Sequence, residues 1–282
     1  MLTKPLFTEV PHVPQGIVST YQVERQITEK ICAPLEIEDY GLQAMNDASP
    51  AKWHLGHVTW FCEAFLLKSM SEGYSPVNPV YEYLFNSYYD GVGPQWTRAY
   101  RAHLSSPTVA EVYDFSTMVD RGMLDLVEET GPEGLSFLGA LVTMGLNHEQ
   151  QHQELLVTDI KYNLSVNSMR PAYHDTEIPE SSSWAPLKWL PFEGVVVWTG
   201  HDRQGFAFDN EWPRHQTFVA PFKLASRLTT NGEFIELIDV GGYDRSDMWL
   251  SEGWKTAKKE GWGVPYTGSV WTGSGGFRRC WA

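Results

Sequence analysis

Apolar side chains recur at helical spacing through much of the first half of the chain, and polar stretches separate them into segments. Ile17, Tyr21, Val23, Ile27 and Ile31 mark a first helix from near Ile17 to Leu35, with Pro34 setting its end. Ser49-Pro50, a capping residue before a proline suited to the first helical position, opens a second helix to about Met70. From Ser71 to Leu104, Gly, Pro, Asn, Ser and Tyr abound and no period persists. This predicts a long structured loop, a kind that tends to carry function inside compact domains. Ser106-Pro107-Thr108 caps a third helix to about Glu129, Gly131-Pro132 stops it, and a fourth runs from about Gly134 to Leu164. Four helices of this length predict a bundle with its site built from facing helices.

Between Ser165 and Pro191 the helical period gives way to Pro171, Pro179, Ser181, Ser182, Ser183 and Pro186. The expected organisation is a helical bundle over 1–170, a linker over 171–190 and a second module over 191–282. That module carries short runs, Val195-Val196-Val197-Trp198 and Gln216-Thr217-Phe218-Val219, punctuated by glycine and charge. Thr230 caps a further helix to Val240, with Phe234, Leu237 and Ile238 on one face. The pattern predicts a loop-heavy α+β fold without internal repeats. Residues 263–282 are rich in Gly, Ser and Thr and show neither a helix nor a strand period.

At 282 residues and 42% apolar composition the chain can bury substantial cores. A net charge of −14 argues against nucleic acid or an anionic membrane as partner and leaves a small polar or cationic ligand as the easier fit. Cys32, Cys62 and Cys280 are odd in number and lack CxxC spacing, so neither a disulfide framework nor a thiolate zinc site is expected. With no signal-like start and no membrane-length apolar run, the expected location is cytoplasmic. Twelve tryptophans, spread over both halves, suit aromatic loops over a pocket as well as large cores.

The chemistry concentrates in Gly145 to Leu156. His148 and His152, four apart, lie about 40° from one another on a helix, so both imidazoles can reach one ion. They share the apolar stripe of Leu138, Leu141, Val142, Leu155 and Leu156, which turns them toward the core. A buried neutral imidazole needs a partner at each nitrogen, and a metal with an outer acceptor supplies both. Gln151 is placed to be such an outer group, whereas Glu154 lies about 200° round from His152 and turns away. Two core histidines held by ordinary hydrogen bonds are the plain alternative. A third ligand is on offer in Trp53-His54-Leu55-Gly56-His57. There the stripe of Leu55, Val58, Cys62 and Phe65 passes closer to His54, leaving His57 on the flank about 100° from Val58. Three imidazoles with open positions suit iron(II), zinc, nickel or copper alike.

Ser49 to His57, Phe85-Asn86-Ser87-Tyr88-Tyr89-Asp90-Gly91 and His148 to Glu154 together resemble the EgtB-type sulfoxide synthases of ergothioneine biosynthesis. Asp209-Asn210-Glu211-Trp212-Pro213-Arg214-His215, Thr230 to Phe234 and Gly241-Gly242-Tyr243 extend the resemblance into the second half. It implies an N-terminal DinB-like four-helix bundle followed by a C-type-lectin-like domain of the formylglycine-generating-enzyme type. It also implies Fe(II) held by His57, His148 and His152, which overrides the helix projection and leaves His54 as an outer or core residue. The implied reaction uses O2 to join a thiol, cysteine or a cysteine-containing compound, to the imidazole of hercynine, the trimethylated betaine of histidine. Tyr88 and Tyr89 are implied catalytic residues, a phenol near the metal being able to donate a proton. Arg98 and Arg101, in the same loop, are candidates to grip a substrate carboxylate.

The family's C-terminal domain is usually much longer than the stretch after Pro191, and likeness fades after Gly261-Trp262. Truncation or a frame error near Gly263, with loss of activity and exposed apolar surface, is the corresponding expectation. The alternatives are a relative that installs selenium in place of sulfur, a DinB-like metal-dependent thiol transferase, and a metal-stabilised bundle without catalysis.

Overall fold

The computed structural model describes residues 16–169, 171–174, 185–264, 269–272 and 276–279. They divide into two compact units, one drawn from Met1–Thr176 and Arg203–Asn210, the other from Glu177–Asp202 and Glu211–Ala282. Residues 175–184, within the expected linker, lie outside the described residues.

The first unit is helical, as the apolar periods of its sequence predict. Helix α1 (Ile17–Cys32) buries Tyr21, Arg25, Thr28 and Cys32 on one face and packs on the long helix α6 (Pro132–Ser165). Helix α2 (Ala51–Cys62) packs between α5 (Val109–Glu129) and α6. Thr108 caps α5 reciprocally: its hydroxyl accepts from the Glu111 N–H at 3.2 Å while the Glu111 carboxylate accepts from the Thr108 N–H at 2.7 Å. Pro132 occupies the first turn of α6, so the Gly131-Pro132 pair that ends one helix also begins the next.

Two local features decide how α2 presents its side chains. Pro50 is the cap rather than the first helical residue, since its carbonyl accepts from the Trp53 and His54 N–H groups at 2.9 and 3.1 Å. All twelve residues of α2 are buried, and after Cys62 the helix widens into a π turn over Glu63–Leu67 before the short α3 (Lys68–Met70). A projection that carries Leu55, Val58, Cys62 and Phe65 as one stripe therefore runs across a change of winding, and no solvent face exists for it to oppose.

The segment expected to be a loop without period contains α4 (Tyr81–Phe85) and a 3-10 turn over Arg98–His103. Phe85 seats its ring against Gly56 of α2: a Cβ added at Gly56 would fall 2.2 Å from the ring. Glycine there allows the loop to lie directly on the helix.

The second unit consists of small antiparallel pairs with helices, an α+β texture. Strands β1 (Trp189–Phe192) and β4 (Phe222–Ala225) pair with Trp189 opposite Ala225. Strands β2 (Val195–Thr199) and β3 (His215–Val219) pair with Val195 opposite Val219. Helix α7 (Asn231–Asp239) starts where Thr230 predicts, with a reciprocal cap to Glu233. Helix α8 (Ser251–Lys259) has no counterpart in the sequence pattern. Within 263–282, where no period is visible, β5 (Ser269–Thr272) and β6 (Gly276–Arg279) form a further antiparallel pair. None of the residues in β1 to β4 is buried, and Val195, Val196, Trp198 and Phe218 are exposed.

Gly56→Ala is expected to cost about 1–3 kcal/mol, because a rigid buried ring must move to admit the methyl group. A lowered urea midpoint at unchanged slope checks this; an unchanged midpoint shows that Phe85 yields freely.

Candidate metal centre

One turn of α6 separates His148 from His152, and α2 sets His57 against both. The ring centroids stand 5.1 Å apart for His57 and His148, 4.5 Å for His57 and His152, and 4.6 Å for His148 and His152. One nitrogen from each ring lies within 4.8 Å of the other two. His57 Nε2 and His148 Nε2 are 3.2 Å apart, and two nitrogens held about 2.1 Å from one ion at about 100° stand at about that separation.

Hydrogen bonds show which nitrogens are free. The Phe85 carbonyl can only accept, so His57 donates to it from Nδ1 over 2.6 Å, and the Nε2 facing His148 carries a lone pair when the ring is neutral. His152 Nδ1 meets His54 Nδ1 at 3.0 Å, and His54 Nε2 meets Asp159 Oδ2 at 2.9 Å. His148 Nδ1 is buried without a partner among the described residues. Three rings with one nitrogen each gathered within 4.8 Å, two of them with Nδ1 already engaged, fit a divalent cation of the imidazole-binding kind.

Aromatic walls hold the rings and exclude water. Trp53 stacks on His57 at 4.6 Å and 13°, and Phe61 on His148 at 4.2 Å and 22°. Burial pushes His57 well down, with the neighbouring His148 adding to the effect. His148 is pushed down to about 4 by burial, and His152 falls by burial first and by His57 next. All three are thereby kept neutral, the form that ligates.

The Phe85 to Tyr89 run serves the site residue by residue. Phe85 holds His57, the Asn86 amide donates to the carbonyls of Tyr89 at 3.3 Å and Gly93 at 3.0 Å, and Ser87 accepts from Arg101 Nη2 at 2.9 Å. Tyr89, partly buried, lies 6.4 Å by ring centroid from both His57 and His148, and burial raises its phenol. Tyr88 goes the other way: it is 73% exposed, in the left-handed region at φ 64°, with its hydroxyl accepting from Arg98 Nη1 at 3.0 Å. The two tyrosines therefore do not share a position.

The two arginines differ as well. Arg101 is buried, donates to Ser49 and Ser87 hydroxyls at 2.7 and 2.9 Å, and lies 3.2 Å over the Trp53 ring, itself stacked on His57. Burial, then the charge of Arg98, pulls it down to about 9. Arg98 is half-buried and donates to the Tyr88 hydroxyl and the Asp47 carbonyl.

Gln151 is exposed, as is Leu155, so neither occupies the inner face assigned to it; the outer partners are Phe85 and His54 instead. Glu154 is exposed, facing away as helix geometry requires. Sequence reasoning also misses Glu149, the fully buried neighbour of His148. It accepts from Arg25 Nη1 at 3.0 Å and Thr28 at 2.6 Å, while Arg25 further donates to Asp120 at 3.0 Å, Thr59 at 2.7 Å and Ser116 at 2.6 Å. Polar Tyr21, Arg25 and Thr28 at helical spacing on one face of α1 are the signal for it.

Residues 20–156 match the DinB superfamily. The chain is 27% identical over 220 residues to the hercynine oxygenase of Mycobacterium tuberculosis, covering 77% of this chain and 49% of that protein. It is 26% identical over 230 residues to the hercynine oxygenase of Mycolicibacterium thermoresistibile, with 78% and 48% covered. With that of Mycolicibacterium smegmatis it shares 25% over 222 residues, with 77% and 49% covered. The chain thus spans about half the length of the curated relatives it matches.

Arg25→Met strands the Glu149 carboxylate in the core and is expected to cost about 3–5 kcal/mol. Lys68→Met, which removes a surface pair with Glu82 at 2.6 Å, is expected to cost under about 1 kcal/mol. Chemical denaturation of both variants checks the contrast, and equal losses contradict it.

Proposed function

We propose, from a DinB superfamily domain at residues 20–156 and a likeness to hercynine oxygenases over 77% of the chain, that His57, His148 and His152 hold iron(II) for an oxidative C–S bond formation in ergothioneine biosynthesis. The substrates are hercynine, O2 and a thiol, cysteine by preference. The bonds balance: a ring C–H and an S–H are lost, C–S and S–O bonds form, and the second oxygen atom leaves as water. The observation that carries this reading is the convergence of three neutral imidazoles inside a bundle.

Iron(II), when bound, supplies the redox chemistry and coordination positions for thiol and oxygen. The chain's own residues do the rest. Neutral ligands leave the cation's charge uncancelled, which favours a thiolate over a thiol. Trp53, Trp60 and Phe61 shut out water and fix the rings. Tyr89, its phenol kept protonated by burial and close to both His57 and His148, is the proton donor. Tyr88 instead orients Arg98. Among the described residues Arg101 bonds hydroxyls, not a carboxylate, so Arg98 and Arg101 offer positive charge to the carboxylate of an amino-acid substrate.

The second unit is assigned to the formylglycine-generating-enzyme type, and a cytoplasmic location goes with the reading. No helix among the described residues is long and apolar enough to cross a membrane. A second reading, a bundle that binds metal without turnover, draws on the exposed apolar strands β1 to β4.

Anaerobic iron loading followed by oxygen-uptake measurement with hercynine and cysteine separates the two. The catalytic reading expects uptake that needs both substrates, loss of most iron in His57→Ala and His148→Ala, and a fall of roughly 10²–10⁴-fold in Tyr89→Phe with iron retained. Iron binding without substrate-dependent oxygen uptake establishes the second reading, and iron retained by the histidine variants refutes both.

A further inference from the structure

We propose that Asp159 and His54 are positioning residues that set which nitrogen of His152 is free to bind a cation, an inference that rests on the metal reading of His57, His148 and His152. Asp159 comes seven residues after His152 on α6, two turns along the same face, and His54 reaches between them from α2. His54 Nε2 lies 2.9 Å from Asp159 Oδ2, and His54 Nδ1 lies 3.0 Å from His152 Nδ1. A carboxylate only accepts, so the proton of neutral His54 sits on Nε2 and its Nδ1 offers a lone pair. His152 must then donate from Nδ1, which leaves the lone pair on its Nε2 as the one it can offer a cation shared with His57 and His148. Reversing the first bond reverses the last: a donor in place of Asp159 shifts both protons along the chain and covers His152 Nε2.

The three rings are thus held differently. A peptide carbonyl fixes His57, a carboxylate acting through a second imidazole fixes His152, and His148 Nδ1 has no partner among the described residues. A full negative charge behind the chain also makes His152 a stronger donor than a peptide dipole makes His57. Asp159 has another task, since the same Oδ2 accepts the Ser49 N–H at 2.8 Å and so secures the start of α2. Asp159→Asn weakens the chain in either orientation: with its amide oxygen at the Oδ2 position it still accepts from Ser49 and His54 but removes the charge behind them, and with its N–H groups there it opposes the His54 tautomer and releases Ser49.

The test uses the full chain and Co(II) as probe. Nitrogen-15 spectra of the metal-free parent protein should show His54 protonated at Nε2 and His152 at Nδ1. Anaerobic Co(II) titration should show Asp159→Asn binding roughly 10–100-fold more weakly than the parent, with a changed visible spectrum and an unchanged far-ultraviolet dichroism. His152 protonated at Nε2 in the parent, or equal Co(II) affinity and spectrum in Asp159→Asn, overturns the relay alone. A parent that binds no Co(II) overturns the metal reading and the relay together. Should the variant fail to fold, the tautomer measurement on the parent decides.

Discussion

Three imidazoles that gather their nitrogens in a dry interior repel unless a proton or a cation stands between them. The bundle is built around that condition. Phe85 holds one ring from behind and His54 another, at 2.6 and 3.0 Å. Trp53 and Phe61 cover their faces, and burial keeps the rings neutral. An apolar core needs none of this; a core that binds a cation needs all of it.

The same condition explains why charge lies so deep elsewhere in the bundle. Helix α6 must be fixed in rotation and height against α1 and α2 for both of its histidines to meet His57. The Arg25 cluster supplies that register, tying Glu149 to α1 while Arg25 also bonds Thr59 of α2 and Ser116 of α5. Asp159 does the same nearly three turns further on by holding Ser49. Each tie sits beside a site histidine on α2 or α6, and buried ionic groups of this kind give geometry more than stability. The loop between the histidine-bearing helices is then secured through Gly56, where Phe85 lies directly on α2.

The four long helices are legible in the sequence because their apolar periods and caps agree, and Thr108 and Thr230 cap as their sequences indicate. The histidine pair on α6 is legible for the same reason. The choice between His54 and His57 is not, since α2 is buried all round and a periodicity argument needs a wet face to measure against. Both histidines point inward, His57 toward His148 and His54 to a place between Asp159 and His152. Gln151 is misplaced by projection because angle alone cannot tell a helix flank that meets a neighbour from one that meets water. Arg25, Glu149 and Asp159 escape notice because a charged residue in a helix reads as surface until its partners, about a hundred residues away in sequence, are seen. The second unit is legible in its strands β2 and β3 and in α7, while α8 and the β5 and β6 pair are not.

X-ray absorption at the iron edge of anaerobically loaded protein addresses the convergence of three rings on one cation most directly. The account predicts one tightly held iron per chain with scattering from three imidazoles at about 2.0–2.2 Å. A first shell of oxygen with one imidazole or none contradicts it.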